Sequence, residues 1–206
     1  ECEPFVAADY AGVHDNLEDL VAGVEAMLKM CGAEKAKVAI KETKKDFIPV
    51  LKEAFAAIEN AEVVAVPDVY PMGWERTLVY EVTKQRYDKL PSEIGCIVNN
   101  AATAISFAQC LRTGMPIVEK IVTVSGDGVK EPCNVVVPVG VQACDLINAC
   151  GGYTADDILL KKVIRCIENY VIRIISAFLC QRKKHHFSSP GQFVHHCYKR
   201  GFYPGF

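Results

Sequence analysis

The stretch "AKVAIKETKKDFIPVLKEAFAAIENAEVVAVP" (36–67) decides the fold of the chain. It opens with a short apolar strand, "AKVAI" (36–40), continues at helical spacing through residues 44–60, and closes with a second apolar strand, "AEVVAVP" (61–67). Two strands joined by a crossover helix lie parallel in one sheet. The stretch therefore predicts an α/β layer built on a parallel sheet.

Helical patterns flank this unit on both sides. Upstream, "DNLEDLVAGVEAMLKMC" (15–31) has apolar residues at i, i+3/i+4 and i+7, with Asp15 or Asn16 as the N-cap and Gly32 just past the end. Downstream, "GWERTLVYEVTK" (73–84) predicts another helix.

The next stretch repeats the alternation of strand and helix. "GCIVNN" (95–100) is interpreted as a buried strand, and "AATAISFAQCLRTG" (101–114) as a helix that ends at Gly114.

The pattern changes after residue 114. Two β-rich runs within residues 117–141 surround "SGDGVKEP" (125–132), which is typical of a hairpin turn. That turn lacks GxxxxGK[ST] spacing and precedes a strand, so it does not read as a phosphate loop. "QACDLINACGG" (142–152) then predicts a short helix closed by glycines. Residues 115–160 are therefore interpreted as a small α+β module.

Charge is distributed unevenly along the 206 residues. The net charge is −2, which gives no argument for nucleic-acid binding. Residues 161–206 contain nine Lys/Arg and one acidic residue, Glu168, whereas residues 1–160 contain 14 Lys/Arg and 24 Asp/Glu. This basic tail has one apolar face of helical spacing at its start. Arg165, Glu168 and Arg173 interrupt the apolar run 163–180, so the sequence predicts no transmembrane segment.

The ten cysteines show no CxxC spacing, so the sequence predicts no iron–sulfur or zinc-ribbon site. Several stand in apolar runs and are interpreted as buried thiols in a reducing cytosol: Cys31, Cys96, Cys110, Cys144 and Cys150. A zinc site can be drawn through the tail, but its spacing matches no familiar pattern. Its members would be Cys180, His185, His186, His195, His196 and Cys197.

Three segments carry candidate binding residues, and each has a structural alternative. Glu1 and Glu3 flank Cys2 ahead of a proline. Their carboxylates could accept hydrogen bonds from ribose hydroxyls or from the edge of a flavin ring; the alternative is a solvated strand end. "VYPMGWERTL" (69–78) offers Tyr70 for stacking, Gly73 for close backbone approach and a carboxylate at Glu75. The alternative there is a capped helix start with Trp74 in the core. In "CIVNNAAT" (96–103), the amides of Asn99 and Asn100 and the hydroxyl of Thr103 could bind a polar ring or a phosphate. The alternative is that the asparagines only cap the helix that follows.

The order of these segments resembles the C subunit of the Rnf ion-translocating electron-transport complex. More distantly, it resembles the flavin- and NADH-binding 51 kDa subunit of respiratory complex I. The resemblance covers residues 1–160. The segments that carry it are "ECEPFVAADY", "YPMGWERTLVYEVT", "GCIVNNAATAISFA", "IVTVSGDGVKEPCNVVVPVG" and "CGGYTADD".

The resemblance implies a Rossmann-like domain (1–114) that holds FMN and receives NADH, a soluble-ligand-binding β-grasp module (115–160) and an atypical tail (161–206). It places Glu1 and Glu3 at the flavin–nicotinamide pocket. Beside the flavin ring it places Tyr70, Gly73 and Glu75, and at the flavin phosphate and ring Asn99, Asn100 and Thr103. The implied chemistry is hydride transfer from NADH to flavin and then single electrons to iron–sulfur clusters.

The resemblance also implies features that this sequence lacks. The family has a glycine-rich loop of the type GxGGAGFPT ahead of the Glu-x-Glu-Pro element and cluster-binding cysteine motifs downstream. We therefore expect a fragment or shortened form whose own enzymatic activity is left open. The implied partners are other subunits of a membrane complex, and the implied location is cytoplasmic, peripheral on the inner face of the membrane. Alternatives are a cobalamin reductase, a proline-reductase-associated electron carrier or a non-catalytic scaffold.

Overall fold

The structure is a computed structural model that describes residues 6–154, 158–162 and 177–181. The chain divides into two compact units. One unit is continuous and comprises residues 13–116. The other is built from two separate segments, the described residues up to Gly12 and those from Ile117 onward. The helix α1 (Ala8–Asp15), which the sequence did not predict, runs across the first of these boundaries.

The continuous unit contains the parallel sheet expected from residues 36–67. Strands β1 (Ala36–Lys41) and β2 (Ala61–Val66) pair in parallel, with Ala36 opposite Ala61 and Lys41 opposite Val66. This confirms a small parallel sheet in a mixed helix and strand fold.

The crossover helix α3 (Phe47–Phe55) is shorter than the predicted range of 44–60. Its buried residues Phe47, Leu51 and Phe55 are spaced by four, so they share the face that contacts β2. After Phe55 the chain continues as turns, and the amide N–H of Ile58 donates to the Phe55 carbonyl at 3.0 Å.

Helices α2 (Leu17–Cys31) and α5 (Ala101–Thr113) pack against each other in the same unit. Both end as the sequence predicts: Gly32 and Gly114 adopt left-handed conformations, and their N–H groups donate to the Leu28 and Cys110 carbonyls. The unit is completed by α4 (Glu75–Thr83) and a short 3₁₀ helix at Pro91–Ile94.

Residues 95–100 do not form the predicted buried strand. They run as an irregular segment from the 3₁₀ helix to α5, and Ile97 is 67% exposed. The apolar run is short, and a run of that length does not by itself supply a neighbouring strand to complete its backbone hydrogen bonds.

The second unit contains the predicted hairpin. Strands β3 (Glu119–Ser125) and β4 (Cys133–Pro138) pair antiparallel, and helix α6 (Ala143–Ala149) follows, as expected. With β5 (Ile158–Lys162) and β6 (Ala177–Gln181) they form a four-stranded sheet in the order β4-β3-β6-β5. Buried residues of β3, β4 and α6, together with one residue of the loop after β3 and the residue that caps α6, form an apolar core: Val122, Val124, Val129, Cys133, Val135, Val137, Leu146 and Cys150.

The segment 126–132 is more than a hairpin turn. The N–H groups of Lys130 and Glu131 donate to the carbonyls of Gly152 and Cys150 at 3.1 and 3.0 Å. Val129 forms an isolated antiparallel bridge with Tyr153. The loop therefore pairs with the chain that follows α6 and closes the module.

The prediction that the apolar-run cysteines are buried is wrong for most of them. Only Cys150 of that set is buried; Cys31 and Cys144 are exposed, and Cys96 and Cys110 are half-buried. Cys31 and Cys144 stand in amphipathic helices, where each apolar run also crosses the solvent face. The helical spacing at the start of the tail included Phe178, and there the expected helix is wrong, because Phe178 lies in the strand β6. Cys180 of the drawn zinc site also lies in β6, and the other members of both sets lie outside the described residues.

Candidate functional site

The carboxyl edge of the parallel sheet is held by a charged cluster that the sequence did not single out. Asp68 follows β2, and its carboxylate pairs with the Lys41 ammonium at 2.5 Å and accepts the Thr43 hydroxyl at 2.8 Å. These hydrogen bonds, first from Lys41 and then from Thr43, lower the pKa of Asp68. The cluster ties together the two loops that leave the sheet where ligands of open α/β folds bind.

The turn at residues 69–74 leads from this edge into α4. The Met72 N–H donates to the Val69 carbonyl, and the Trp74 N–H donates to the Pro71 carbonyl, both at 2.8 Å. Met72 is buried, whereas Tyr70 and Trp74 are 64% and 49% exposed. The structural alternative that buries Trp74 is therefore wrong, because Met72 anchors the turn instead.

Glu75 is the first residue of α4, and a buried tyrosine orients its carboxylate. The Tyr87 hydroxyl donates to Glu75 Oε1 at 3.0 Å. Burial, followed by the hydrogen bond to Glu75, raises the pKa of Tyr87. A negative carboxylate in the first turn of a helix also interacts favourably with the helix dipole.

Arg76 fixes the loop that carries Tyr87. Its guanidinium donates to the Tyr87 carbonyl at 2.9 Å and to the carbonyls of Asp88 and Lys89, and it lies 4.8 Å from the centre of the Tyr87 ring. An open depression of about 310 Å³ lies beside it. It is lined by Arg76, Thr77, Tyr80, Gln85, Arg86 and Tyr87.

Glu93 closes the same loop from the other side. Its carboxylate accepts the backbone N–H groups of Asp88, Lys89 and Leu90 at 2.9–3.1 Å. The bond from Asp88, followed by that from Leu90, lowers the pKa of Glu93. Sequence reasoning missed Tyr87 and Glu93 because the polar stretch after α4 has no periodicity. It missed Arg76, which lies in the first turn of α4, because its partners are backbone carbonyls of the loop that folds back onto it.

The asparagine segment stands at the start of α5. Asn100 is the N-cap: its Oδ1 accepts the Ala102 N–H at 2.7 Å, and its backbone carbonyl accepts the Thr103 N–H at 2.9 Å. The capping alternative therefore describes the Asn100 side chain. Asn99 and Thr103 are exposed on either side of this cap.

The structure thus places six of the predicted residues at two helix starts of one unit. Tyr70, Gly73 and Glu75 lie in the turn that enters α4, and Asn99, Asn100 and Thr103 at the entry to α5. Glu1 and Glu3 lie outside the described residues.

The described part of the chain contains neither a metal-binding cluster of side chains nor a helix that could span a membrane. Within residues 6–154, 158–162 and 177–181, no group of three or more His, Cys, Asp or Glu side chains could hold a metal ion. Across the same ranges, none of the helices is both long enough and apolar enough to cross a bilayer.

Comparisons with known proteins match both units. The model of the Nuo51 FMN-binding domain matches residues 1–109, and the SLBB domain model matches residues 121–161. All six residues at the two helix starts fall within the first match.

Curated relatives extend these matches. The chain is 34% identical over 160 residues to the C subunit of the proton-translocating ferredoxin:NAD(+) oxidoreductase complex of Clostridium ljungdahlii, covering 77% of this chain and 35% of that protein. It is 30% identical over 158 residues to the Na(+)-translocating counterpart of Acetobacterium woodii, covering 76% and 36%. It is 28% identical over 194 residues to cobalamin reductase PduS of Salmonella typhimurium, covering 90% and 42%. The chain thus spans about a third of the length of the first two relatives.

Proposed function

The chain belongs to the family of the Nuo51 FMN-binding domain and carries an SLBB domain after it, and from this we propose that it passes electrons from NADH through FMN to iron–sulfur carriers of a membrane-associated ion-translocating complex. The observation that carries the proposal is the turn Tyr70–Glu75 at the carboxyl edge of the parallel sheet, inside the FMN-binding match. In fold terms we propose a Rossmann-like domain over 1–114 and a β-grasp module over 115–160, followed by a basic tail over 161–206 from which β6 joins the sheet of the module.

The residues of the α4 entry suit a planar polar ring. The exposed Tyr70 offers an aromatic face, and Gly73 has no side chain to block backbone approach. The Glu75 carboxylate is held in one orientation by the Tyr87 hydroxyl. We assign to these residues the positioning of the flavin ring, since fixed hydrogen-bond acceptors orient a ring without reorganising.

The residues of the α5 entry suit the ribityl phosphate end of the cofactor. A helix N-terminus provides backbone N–H donors and a favourable dipole for a phosphate. The Asn100 cap fixes the direction of α5, while Asn99 and Thr103 offer an exposed amide and hydroxyl. To Glu1 and Glu3 we assign the wall of the flavin–nicotinamide pocket.

FMN, when bound, supplies the conversion between hydride transfer and single-electron transfer. The protein then needs only to orient nicotinamide against flavin and to exclude competing reactions. The iron–sulfur clusters would be held by the downstream cysteine motifs that the resemblance implies. We propose a cytoplasmic location on the inner face of the membrane, beside the other subunits of the complex.

Flavin binding tests this proposal. We expect the purified chain, mixed with FMN and freed of excess, to keep a flavin absorbance band that NADH bleaches without oxygen. Glu75→Ala and Asn99→Ala should each weaken FMN affinity about tenfold or more, the cost of losing a charged or amide hydrogen bond. Glu53→Ala and Asn60→Ala change the same residue types at exposed positions away from the two helix starts and should have no effect.

Other results would contradict parts of the proposal. A chain that binds no FMN even in excess would favour the non-catalytic scaffold. Binding that is unchanged in both Glu75→Ala and Asn99→Ala would mean that other residues hold the cofactor.

A second candidate function is cobalamin reduction, favoured by the match to PduS over 90% of this chain. The electron acceptor distinguishes the two. A cobalamin reductase would transfer electrons from NADH to an added cobalamin in the absence of any other subunit, seen as a change in the corrin spectrum. A chain whose flavin is bleached by NADH but leaves cobalamin unreduced would favour the ion-translocating complex.

A further inference from the structure

The second unit contains two buried thiols that face each other. Cys133 opens β4, and Cys150 caps the end of α6. Their Sγ atoms lie 3.4 Å apart, and the residues are 7% and 0% exposed. Both belong to the apolar core of the module, and both are reduced thiols in this structure.

The backbone on each side of the pair is fixed. Cys133 lies opposite Val124 in the hairpin register. The Cys150 N–H donates to the Ile147 carbonyl at 3.0 Å, and its own carbonyl accepts the Glu131 N–H at 3.0 Å. A disulfide requires the two sulfurs to approach by only about 1.4 Å more, which side-chain rotation supplies more easily than backbone movement.

We propose that Cys133 and Cys150 form a redox-active dithiol that exchanges with low-molecular-weight disulfides. Of the two cysteines, Cys133 is the one with some exposure to solvent, at 7%. Its thiolate therefore attacks one sulfur of the small disulfide and releases a small thiolate. Cys150 then attacks the Cys133 sulfur of the mixed disulfide and releases the second small thiolate. Two protein thiols and one small disulfide thus become one protein disulfide and two small thiols, a transfer of two electrons and two protons.

The consequence for the module is a covalent link between β4 and the end of α6. The bond spans a separation of 17 residues and includes the whole of α6. Closing such a loop restricts the unfolded chain, so the oxidised module should be more resistant to unfolding. Both thiols are buried, so the exchange requires local opening and should be slow. This inference does not depend on flavin binding.

Peptide mapping tests the proposal on the full chain. The folded protein is incubated with oxidised glutathione, its remaining thiols are alkylated, and the digest is analysed by mass spectrometry. We expect a Cys133–Cys150 cross-linked peptide with a mass loss of two hydrogen atoms, while the exposed Cys31 and Cys144 carry glutathione or alkyl groups. The thermal midpoint of the oxidised protein should rise by about 5 °C or more and return after dithiothreitol treatment.

Matched variants define the pair. Cys133→Ala should abolish the cross-link and the midpoint shift, whereas Cys144→Ser should keep both. If the folded protein modifies Cys31 and Cys144 but forms no Cys133–Cys150 peptide, even in urea below the unfolding midpoint, the proposal is wrong. Wild-type mapping alone decides this point if Cys133→Ala fails to fold.

Discussion

At the scale of single residues, Thr123 connects two parts of the chain through one buried hydroxyl. It donates to Asn134 Oδ1 at 2.7 Å and accepts the Ala7 N–H at 3.1 Å. Thr123 and Asn134 are opposite each other in the β3–β4 register, and both are buried. The hydroxyl therefore satisfies the buried Asn134 amide and the partly buried Ala7 N–H at once.

Replacing Thr123 by Val tests this connection. Val keeps the β-branched shape but leaves the Ala7 N–H and the Asn134 amide without this partner, so we expect a loss of about 1–3 kcal/mol in the free energy of unfolding. Urea denaturation measures it. Thr154→Val is the control, since that residue is exposed and its hydroxyl donates to the Asp127 carbonyl at 3.1 Å. An equal loss in both variants would contradict a special role for Thr123.

Asp68 makes stability depend on pH. The pKa of the folded protein's Asp68 lies below its ordinary value, so its contribution is complete above the unfolded pKa of about 4. It is lost as the pH falls through the folded pKa. We expect Asp68→Asn to lower the free energy of unfolding at pH 7 by about 1 kcal/mol or less, because the site is partly exposed and screened.

The difference between wild type and Asp68→Asn should shrink as the pH is lowered from 5 toward 2. Urea midpoints at several pH values measure it, with Asp127→Asn as the exposed control. A difference that stays constant across this range would mean that Asp68 acts through shape rather than charge.

At the scale of elements, the sequence predicted best where periodicity and end signals agree. The helix α2 combines a continuous apolar stripe with Asn16 at its start and Gly32 at its end, and β1 and β2 are apolar runs joined by a helix. The run 95–100 and the helix α1 lack such agreement. The run 95–100 is apolar but has no partner strand, and the sequence of α1 has little amphipathic pattern to indicate a helix.

The candidate site shows the same division. The position of Tyr70, Gly73 and Glu75 between a strand and a helix was predictable, because the apolar run before them and the helical spacing after them are both clear in the sequence. Tyr87 was not, because its contact with Glu75 depends on how the loop after α4 folds back, which only tertiary hydrogen bonds determine.

Helix packing in the first unit depends on Gly23. A Cβ atom at this position of α2 would lie 2.0 Å from the Ala104 carbonyl oxygen in α5. Gly23→Ala should therefore force the two helices apart and destabilise the protein by about 3 kcal/mol or more. At an exposed helix position the same change would stabilise by about 1 kcal/mol, so the sign of the effect reports the packing.

Gly12→Ala is the matched control for Gly23→Ala. Its nearest neighbour would be the Cδ1 atom of Ile121 at 3.3 Å, the end of a flexible side chain that can move. We therefore expect Gly12→Ala to change the free energy of unfolding by no more than about 1 kcal/mol. Comparable destabilisation in both variants, measured by urea unfolding, would mean that close backbone approach is not what Gly23 provides.

At the scale of the whole molecule, the two units differ in how the chain builds them: one is continuous in sequence and the other is not. The first unit is one continuous stretch, whereas the second takes residues before it and after it. The early segment is held in the second unit by the Ala7–Thr123 hydrogen bond and by the burial of Val6 and Ala8. Cutting the chain between the units therefore leaves part of the second unit on the amino-terminal fragment.

A protease site inserted between Met115 and Pro116 tests this threading. Residues 114–118 are exposed and outside helices and strands, so they should tolerate an insertion. After cleavage we expect the two fragments to co-elute in gel filtration and to separate only in denaturant, since the segment up to Gly12 remains bound to the carboxyl-terminal fragment. Thr123→Val should weaken this association, because it removes one of the bonds that hold the early segment. Fragments that separate under native conditions would show that the early segment does not hold the cut chain together. Fragments that co-elute equally well with and without the Thr123 hydroxyl would show that the Ala7–Thr123 hydrogen bond is not needed for the association.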